Sequence, residues 1–369
     1  MTNRNWLAPL ALLAVSAQMA AAQGTLAVAP AFQTYHFAKG FGLESASLLI
    51  VPIAYEMGAT RKVSFDVYSA YARGETKLGA VKNTLQGLVD TRVRANFTVT
   101  GSTVLTASLN LPTGNSAHDI VEANVANALS TELLGFREAM WGTGFGATTG
   151  VATAQRWGTT GIGLGASYRL ATAFEPTDSA VKYTPGNEVR VRLAVDKDLG
   201  ANKLTAGVTF QNYSDDKLDG RNLFAPGNRW RTDLTYSFRT SATSSWTLFA
   251  TDVWRENGDV TLRVVDVAGK AIGDTTFVSG QQNLIVLGIA GATGKLRPTA
   301  DFRVITRKSG EDEGWLSNVG ADMPFRRGRT DFIPALKLSY GKMEGAGVDT
   351  KYSVTGGEVS LTLRWGASR

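Results

Sequence analysis

The chain has 369 residues, of which 19% are charged, with a formal net charge of +6 and no cysteine. That mild positive balance, with no basic run beyond Arg326-Arg327-Gly328-Arg329, excludes a nucleic-acid footprint. The missing cysteines exclude a disulfide framework and fit an exported chain that avoids stray thiols, while 40 glycines fit an all-β chain with many turns.

Arg4 is the only charge in the first 22 residues, an apolar run follows from Trp6 to Val15, and Ala20-Ala21-Ala22 precede Gln23. A charged start, a short apolar core and an A-x-A site read as a secretory signal over residues 1–22, too short for an anchor helix, which needs about 20 apolar residues. Residues 23–369 show no composition shift or Pro/Ser-rich linker and are expected to form one domain. The most apolar later stretch, Leu48 to Ala54, is short and contains Pro52. The mature chain is therefore either soluble after export or a membrane barrel, since only helices and closed barrels satisfy their backbone in lipid.

Sixteen strands are predicted, at 25–37, 45–58, 62–73, 88–100, 103–111, 145–157, 159–174, 187–199, 203–213, 228–239, 244–255, 281–293, 295–306, 315–326, 331–344 and 353–365. Most run about 9–13 residues, enough for a tilted strand to cross a bilayer and longer than the about 5–6 of ordinary sheets. Side chains alternate between the two faces of a strand. In the last one, Val359, Leu361, Leu363 and Trp365 share one face, while Glu358, Ser360, Thr362 and Arg364 share the other. Val89 to Val99, Glu188 to Asp196, Trp230 to Phe238 and Leu296 to Val304 alternate as clearly. Turning 187–199 over would put Arg190 and Arg192 in lipid at about 2–4 kcal/mol each, so the apolar face is the outer one.

Connections alternate too. Those near 59–61, 101–102, 158, 200–202, 240–243, 294 and 327–330 are short. Those at 38–44, 74–87, 112–144, 175–186, 214–227, 256–280, 307–314 and 345–352 are longer, the asymmetry of an outer-membrane barrel. Phe238, Trp246, Phe325, Phe332, Trp157 and Trp365 fall at one depth, on the short-turn side. The first two strands are exceptional. Residues Ser47 to Met57 are apolar on both faces, so residues 23–57 could instead form a plug inside fourteen strands.

The loop 112–144 carries the expected helix. Asp119 and Glu122 resemble a capping box, Val121, Val125, Ala128, Leu129 and Leu133 recur at helical spacing over about four turns, and Gly135 can end it. Such a helix either packs on the barrel mouth or folds inward as a constriction, with Asp119, Glu122 and Glu132 as its acidic groups. The charges expected on the inner face are Asp66, Arg92, Arg94, Arg190, Arg192, Asp196, Arg231, Asp233, Asp301, Arg303, Lys337 and Glu358. They lean basic and point to weak anion preference, or else they pair across strands and only hold a solvated wall together.

Chemistry is poorly served. There are two histidines, His36 and His118, no G-x-S-x-G elbow, and Gly291-Ala292-Thr293-Gly294-Lys295 lacks the first glycine of a phosphate loop and reads as a turn. No enzyme activity, cofactor or metal is expected.

In strand pattern, loop alternation and terminal aromatic strand, the whole mature chain resembles Gram-negative outer-membrane barrels of porin type. The resemblance implies a third long loop folded inward opposite an arginine-rich wall, with loop 112–144 and Arg92, Arg94, Arg190 and Arg192 matching by location. It also implies an assembly signal in Val359, Leu361, Leu363 and Trp365, though four residues follow Trp365 where such barrels usually end on Phe. Leu111-Pro112-Thr113-Gly114 and Tyr183-Thr184-Pro185-Gly186-Asn187 are similar to stretches of the phenol meta-pathway and fatty-acid-channel barrels, which implies uptake of hydrophobic or aromatic compounds. The expectation is an outer-membrane channel exported through the Sec pathway. Its partners would be lipid and lipopolysaccharide, the barrel-assembly machinery and a small solute, with no nucleic acid. An oligomer is compatible with the sequence, and a structural or adhesive barrel is the third reading.

Overall fold

A computed structural model describes residues 24–178, 181–265, 271–307, 313–345 and 348–366. The signal-peptide expectation falls outside them.

Nineteen strand segments form one antiparallel sheet, and they make sixteen spanning strands because three strands are each interrupted once. In chain order these are β1 (Gly24–Val28 and Ala31–Phe37), β2 (Ser45–Gly58), β3 (Val63–Leu78), β4 (Val81–Leu88 and Thr91–Thr100), β5 (Thr103–Leu111) and β6 (Gly146–Trp157). Then come β7 (Thr160–Ala171), β8 (Glu188–Leu199), β9 (Asn202–Tyr213), β10 (Arg229–Ser241) and β11 (Ser244–Arg255). The barrel is completed by β12 (Gln282–Thr293), β13 (Arg297–Arg307), β14 (Gly314–Asp322 and Phe325–Arg327), β15 (Thr330–Gly345) and β16 (Val348–Gly366).

The sheet closes. β1 pairs with β2 on one side and β16 on the other, with Thr25 opposite Gly366 and Gln33 opposite Glu358. Closure leaves no free edge, the condition for a sheet in lipid. It also removes the plug alternative, because residues 24–58 are the first two wall strands. The interruption of β1 falls at Ala29-Pro30, where proline has no N–H to give, and the same register resumes beyond it.

The pairing fixes the faces. Val359, Leu361, Leu363 and Trp365 lie on the outer face with Leu164, Leu193, Leu287, Leu336 and Val319, of which Val359 and the last five are exposed, and most of their neighbours in register are also apolar. A soluble protein does not leave so continuous an apolar band uncovered. Phe325 and Phe332 stack at 5.3 Å, and Phe238 opposes Trp246, both pairs beside tight turns.

Several sequence expectations shift. The 74–87 loop is instead a hairpin that carries β3 and β4 onward, turning at Gly79 with φ 58°. Hairpins also occupy 214–227 and 256–280, where short strands join Tyr183–Thr184 in a separate five-stranded sheet. These short strands lie in stretches expected from the sequence to be long loops. The glycine-rich 291–295 segment is the β12–β13 turn, with Gly294 at φ 59°.

Candidate functional site

The loop 112–144 leaves β5 and runs through the barrel interior. Its helix α1 (Ile120–Leu129) is shorter than the spacing suggested, ending at Ser130. The capping box is present: Asp119 accepts from the backbone N–H of Val121 and Glu122 at 2.8 Å each, and Glu122 accepts from the Asp119 N–H at 3.4 Å. Leu133 lies beyond the helix yet is as buried as Leu129, because the chain continues along the wall.

That wall explains the doubly apolar stretch. On β2, Leu49 and Val51 face outward, whereas Ala46, Leu48 and Ile50 face inward and are buried with Ala70, Ala72, Leu85, Val125, Leu129 and Trp141. One face meets lipid and the other meets the inserted loop. Trp141 is fully buried and donates its indole N–H to the Ala72 carbonyl at 3.1 Å. A second cluster seats Leu133 and Leu134 on Tyr35, Ile305, Leu316, Met343 and Val354, drawn from β1 and β13 to β16. The Tyr35 hydroxyl donates to the Leu134 carbonyl at 2.7 Å.

Polar groups moor the loop at both ends of its path. Where it leaves and rejoins the wall, the buried Asp90 carboxylate accepts from the Gly114 N–H at 2.9 Å, the Thr143 N–H at 2.7 Å and the Asn110 amide at 2.8 Å. Asp90 sits in the interruption of β4, and its own N–H donates to the Trp141 carbonyl at 2.8 Å. The strand break thus exchanges ladder bonds for loop bonds. Gly114 must be glycine, since a Cβ there would overlap the Trp141 carbonyl. Midway, Gln33 accepts from the Arg137 N–H at 2.8 Å, and the Arg137 guanidinium pairs with Glu358, which also holds Lys337 at 3.1 Å. At the far side Glu132 meets Arg255 at 2.9 Å and Arg229 at 3.7 Å, with the Gln282 amide at 3.3 Å.

The loop thus covers the wall from β12 through β16 to β4. The opposite arc, β4 to β9, stays open on a cavity of about 1130 Å³. Six guanidiniums line it, those of Arg92, Arg94, Arg169, Arg190, Arg192 and Arg255, against two carboxylates, Glu188 and Asp216. Both carboxylates are engaged: Glu188 holds Arg190 at 2.7 Å, and Asp216 accepts from the Tyr183 hydroxyl at 2.5 Å and the Gly186 N–H at 2.6 Å. Burial, followed by that hydrogen bond, pushes the Tyr183 phenol above its usual range. Arg92 forms no salt bridge to a described residue, and Arg169 reaches Glu188 only at 3.9 Å. Arg94 pairs with Asp66 at 2.8 Å and Arg192 with Asp233 at 2.9 Å. Between the arginines of β4 and those of β8 lie four inter-strand steps, roughly 19 Å along the wall. This floor is floored by small inward residues, among them Gly150, Ala152, Gly163, Gly165 and Ser167.

Register puts Asp66, Arg92, Arg94, Arg190, Arg192, Arg231, Asp233, Asp301, Arg303, Lys337 and Glu358 on the inner face. They do not form one group. Arg92, Arg94, Arg190 and Arg192 border the open cavity. Arg231 braces Asp233 at 2.9 Å, while Arg303, Asp301 and Asn318 form a chain continued by Ser339. Lys337 and Glu358 serve the loop. Of the acidic loop residues, Asp119 and Glu122 cap α1 and Glu132 spans to the far wall. Asp90, Arg137, Arg169 and Arg255 were missed as site residues. Arg169 and Arg255 share the parity of the inward faces and were findable. The Asp90 and Arg137 contacts span long sequence separations that periodicity does not encode.

A closed sixteen-stranded antiparallel barrel, apolar outside and charged within, with a loop folded into its lumen, is the architecture of a membrane-spanning β-barrel. No protein-family description matches the sequence, and no curated protein matches it. Among solved structures it is similar to the CymD monoaromatic hydrocarbon channel, at 13% identity and TM-score 0.44 over 94% of this chain and 89% of that one. It is also similar to Pseudomonas aeruginosa OccK11 (OpdR), at 8% identity and TM-score 0.48 over 93% and 95%. A triple mutant of the Rhodopseudomonas blastica porin gives 13% identity and TM-score 0.38 over 93% and 100%. At such identities and scores, nothing about solute passes from these proteins to this chain.

Proposed function

We propose that the protein is a passive outer-membrane channel for small solutes, with preference for anions. One observation carries this reading: six guanidiniums line the unfilled arc of the lumen, and while four of them pair with Asp66, Glu188, Asp233 and Glu132, Arg92 forms no salt bridge to a described residue and Arg169 reaches Glu188 only at 3.9 Å. Rings of fixed charge set the ion preference of a water-filled pore. The loop narrows the lumen without filling it, so passage runs past Arg92, Arg94, Arg190 and Arg192.

Reversal potential in a potassium chloride gradient tests it, using the purified barrel in a planar bilayer. The expected sign is that of chloride permeating faster than potassium. A potassium-preferring pore would overturn the anion reading, and failure to conduct at all would overturn the channel.

A further inference from the structure

We propose that the turn Arg327-Gly328-Arg329 is a headgroup site for an anionic phospholipid in the leaflet on the short-turn side, with the Phe325–Phe332 pair against its acyl chains. The proposal needs only the membrane-spanning barrel and is independent of what passes through the lumen.

Arg326-Arg327-Gly328-Arg329 is the chain's one basic run, and none of its residues lines the open arc. It joins β14 to β15. Gly328 turns the chain at φ 61°, a conformation that favours glycine. Arg326 and Asp331 oppose each other in register on the lumen side and pair at 3.6 Å. The Arg326 guanidinium also donates to the Gly328 carbonyl at 3.3 Å, which braces the turn from within. Arg327 opposes Thr330, and Thr330 opposes Trp365, so Arg327 shares the outer face with Trp365. Arg329 follows at the tip. Both guanidiniums are exposed, and neither forms an ion pair with a described residue.

Water alone would satisfy two free guanidiniums, but it does not suit what adjoins them. Phe325 and Phe332 stack at 5.3 Å with their planes 5° apart, and Phe325 is 44% exposed. Register puts Phe332 beside Leu363, and Pro334 beside Leu361, on the same outer face. Cation therefore gives way to aromatic ring and then to aliphatic surface along one stripe of the wall. That is the profile of a lipid: phosphate, interface, chains. Aromatic rings settle at headgroup depth, and the planar forks of arginine match phosphate oxygens.

The charge balance selects among headgroups. Asp322 and Asp331, the described carboxylates of β14 and β15 near the turn, both face the lumen, where Asp322 lies 4.0 Å from Arg297. The ammonium of a zwitterionic headgroup would thus meet two guanidiniums and no carboxylate. A headgroup with net negative charge meets the same pair without that repulsion.

Native mass spectrometry of the folded barrel, released from nanodiscs of equal phosphatidylglycerol and phosphatidylethanolamine, tests the assignment. Phosphatidylglycerol is expected to be enriched roughly fivefold among the retained lipids. Arg327→Gln with Arg329→Gln should bring the ratio close to unity, and Arg329→Gln alone should lower it. Arg61→Gln with Lys62→Gln, on another short turn, should leave it unchanged. Glycerophosphoglycerol, the headgroup without chains, should not displace the lipid. Equal retention of the two lipids by the parent would overturn the proposal, as would enrichment that survives loss of both arginines. An equal loss in the Arg61 and Lys62 variant would overturn it too, by showing that general rim charge is read. Displacement by glycerophosphoglycerol would overturn the lipid and leave a phosphate site.

Discussion

Trp141 of the inserted loop and Ala72 of β3 are joined by an indole-to-carbonyl hydrogen bond of 3.1 Å, made where neither residue touches water. The ring also fills the space above Gly74, whose absent Cβ lets Trp141, Leu129 and Val125 approach the wall. Trp141→Ala should therefore cost about 3–5 kcal/mol through lost burial and the cavity left behind. Trp141→Phe keeps most of the packing and should cost only about 0.5–1.5 kcal/mol for the hydrogen bond. Heat-induced unfolding of the detergent-solubilised barrel, followed by gel mobility, ranks the two variants, and equal midpoints would show that the loop is not seated by this ring.

Asp90 holds both ends of the loop with one carboxylate. In Asp90→Asn one oxygen becomes a donor facing donors, so one buried N–H loses its acceptor, at about 1–3 kcal/mol. The expected result is a looser constriction: larger mean single-channel conductance and greater open-state current noise. Unchanged noise would place the loop's stiffness elsewhere, in the Glu132–Arg255 contact or the leucine cluster.

Glu138, in the loop, is pushed above the usual carboxylate range, first by burial and then by the nearby Asp90 charge, against weak backbone N–H bonds and Arg92. A raised folded pKa means that the ionised form is disfavoured in the folded state. The penalty is absent below the ordinary glutamate value of about 4.3 and grows as pH rises through the raised value. Glu138→Gln removes it. The variant should unfold at a higher temperature than the parent at pH 8, and the two should converge near pH 4. A gap that widens on acidification would contradict this sign.

Two glycines on the inner wall should respond oppositely. Gly165→Leu has room at Cβ, so the barrel should fold as before while conductance drops, because the new side chain enters the open arc. Gly341→Ala would drive its methyl onto the Trp315 carbonyl between β14 and β15, so it should lower the unfolding temperature even though alanine is ordinarily the better strand residue. Thermal unfolding and conductance of both variants separate the effects.

The strand register was legible because charges on one face are intolerable in lipid: Arg190 and Arg192 alone orient β8. The course of the loop was not legible, since Gln33, Arg255 and Glu358 lie on strands remote from it in sequence, and Asp90 meets it only across 24 and 53 residues. Yet one trace was present. The inward run Ala46, Leu48 and Ile50 has no reason to be apolar in an aqueous lumen, and it marks where the loop docks. Extension of β3 and β4 into their hairpin was hidden because residues such as Glu75, Lys77 and Lys82 lack a bilayer's apolar alternation. They form ion pairs instead, Lys82 reaching Glu75 at 2.7 Å and Lys77 reaching Glu44 at 2.8 Å. The shortened α1 has a similar origin: Leu133 and Leu134 are buried by the wall rather than by helical periodicity.

The first and last strands meet across almost the whole length of the chain, and the loop touches both beside that seam: Gln33 on β1 receives the Arg137 N–H, and Glu358 on β16 receives the Arg137 guanidinium. Contacts between such remote segments form late, because chain entropy must be spent before they return anything. A nascent sheet with two open edges has nowhere to seat Arg137, and a loop without Arg137 offers the seam no inner suture. Zipping the cylinder shut and locking its interior are thus a single cooperative step, in which a segment belonging to neither edge staples the two together from within.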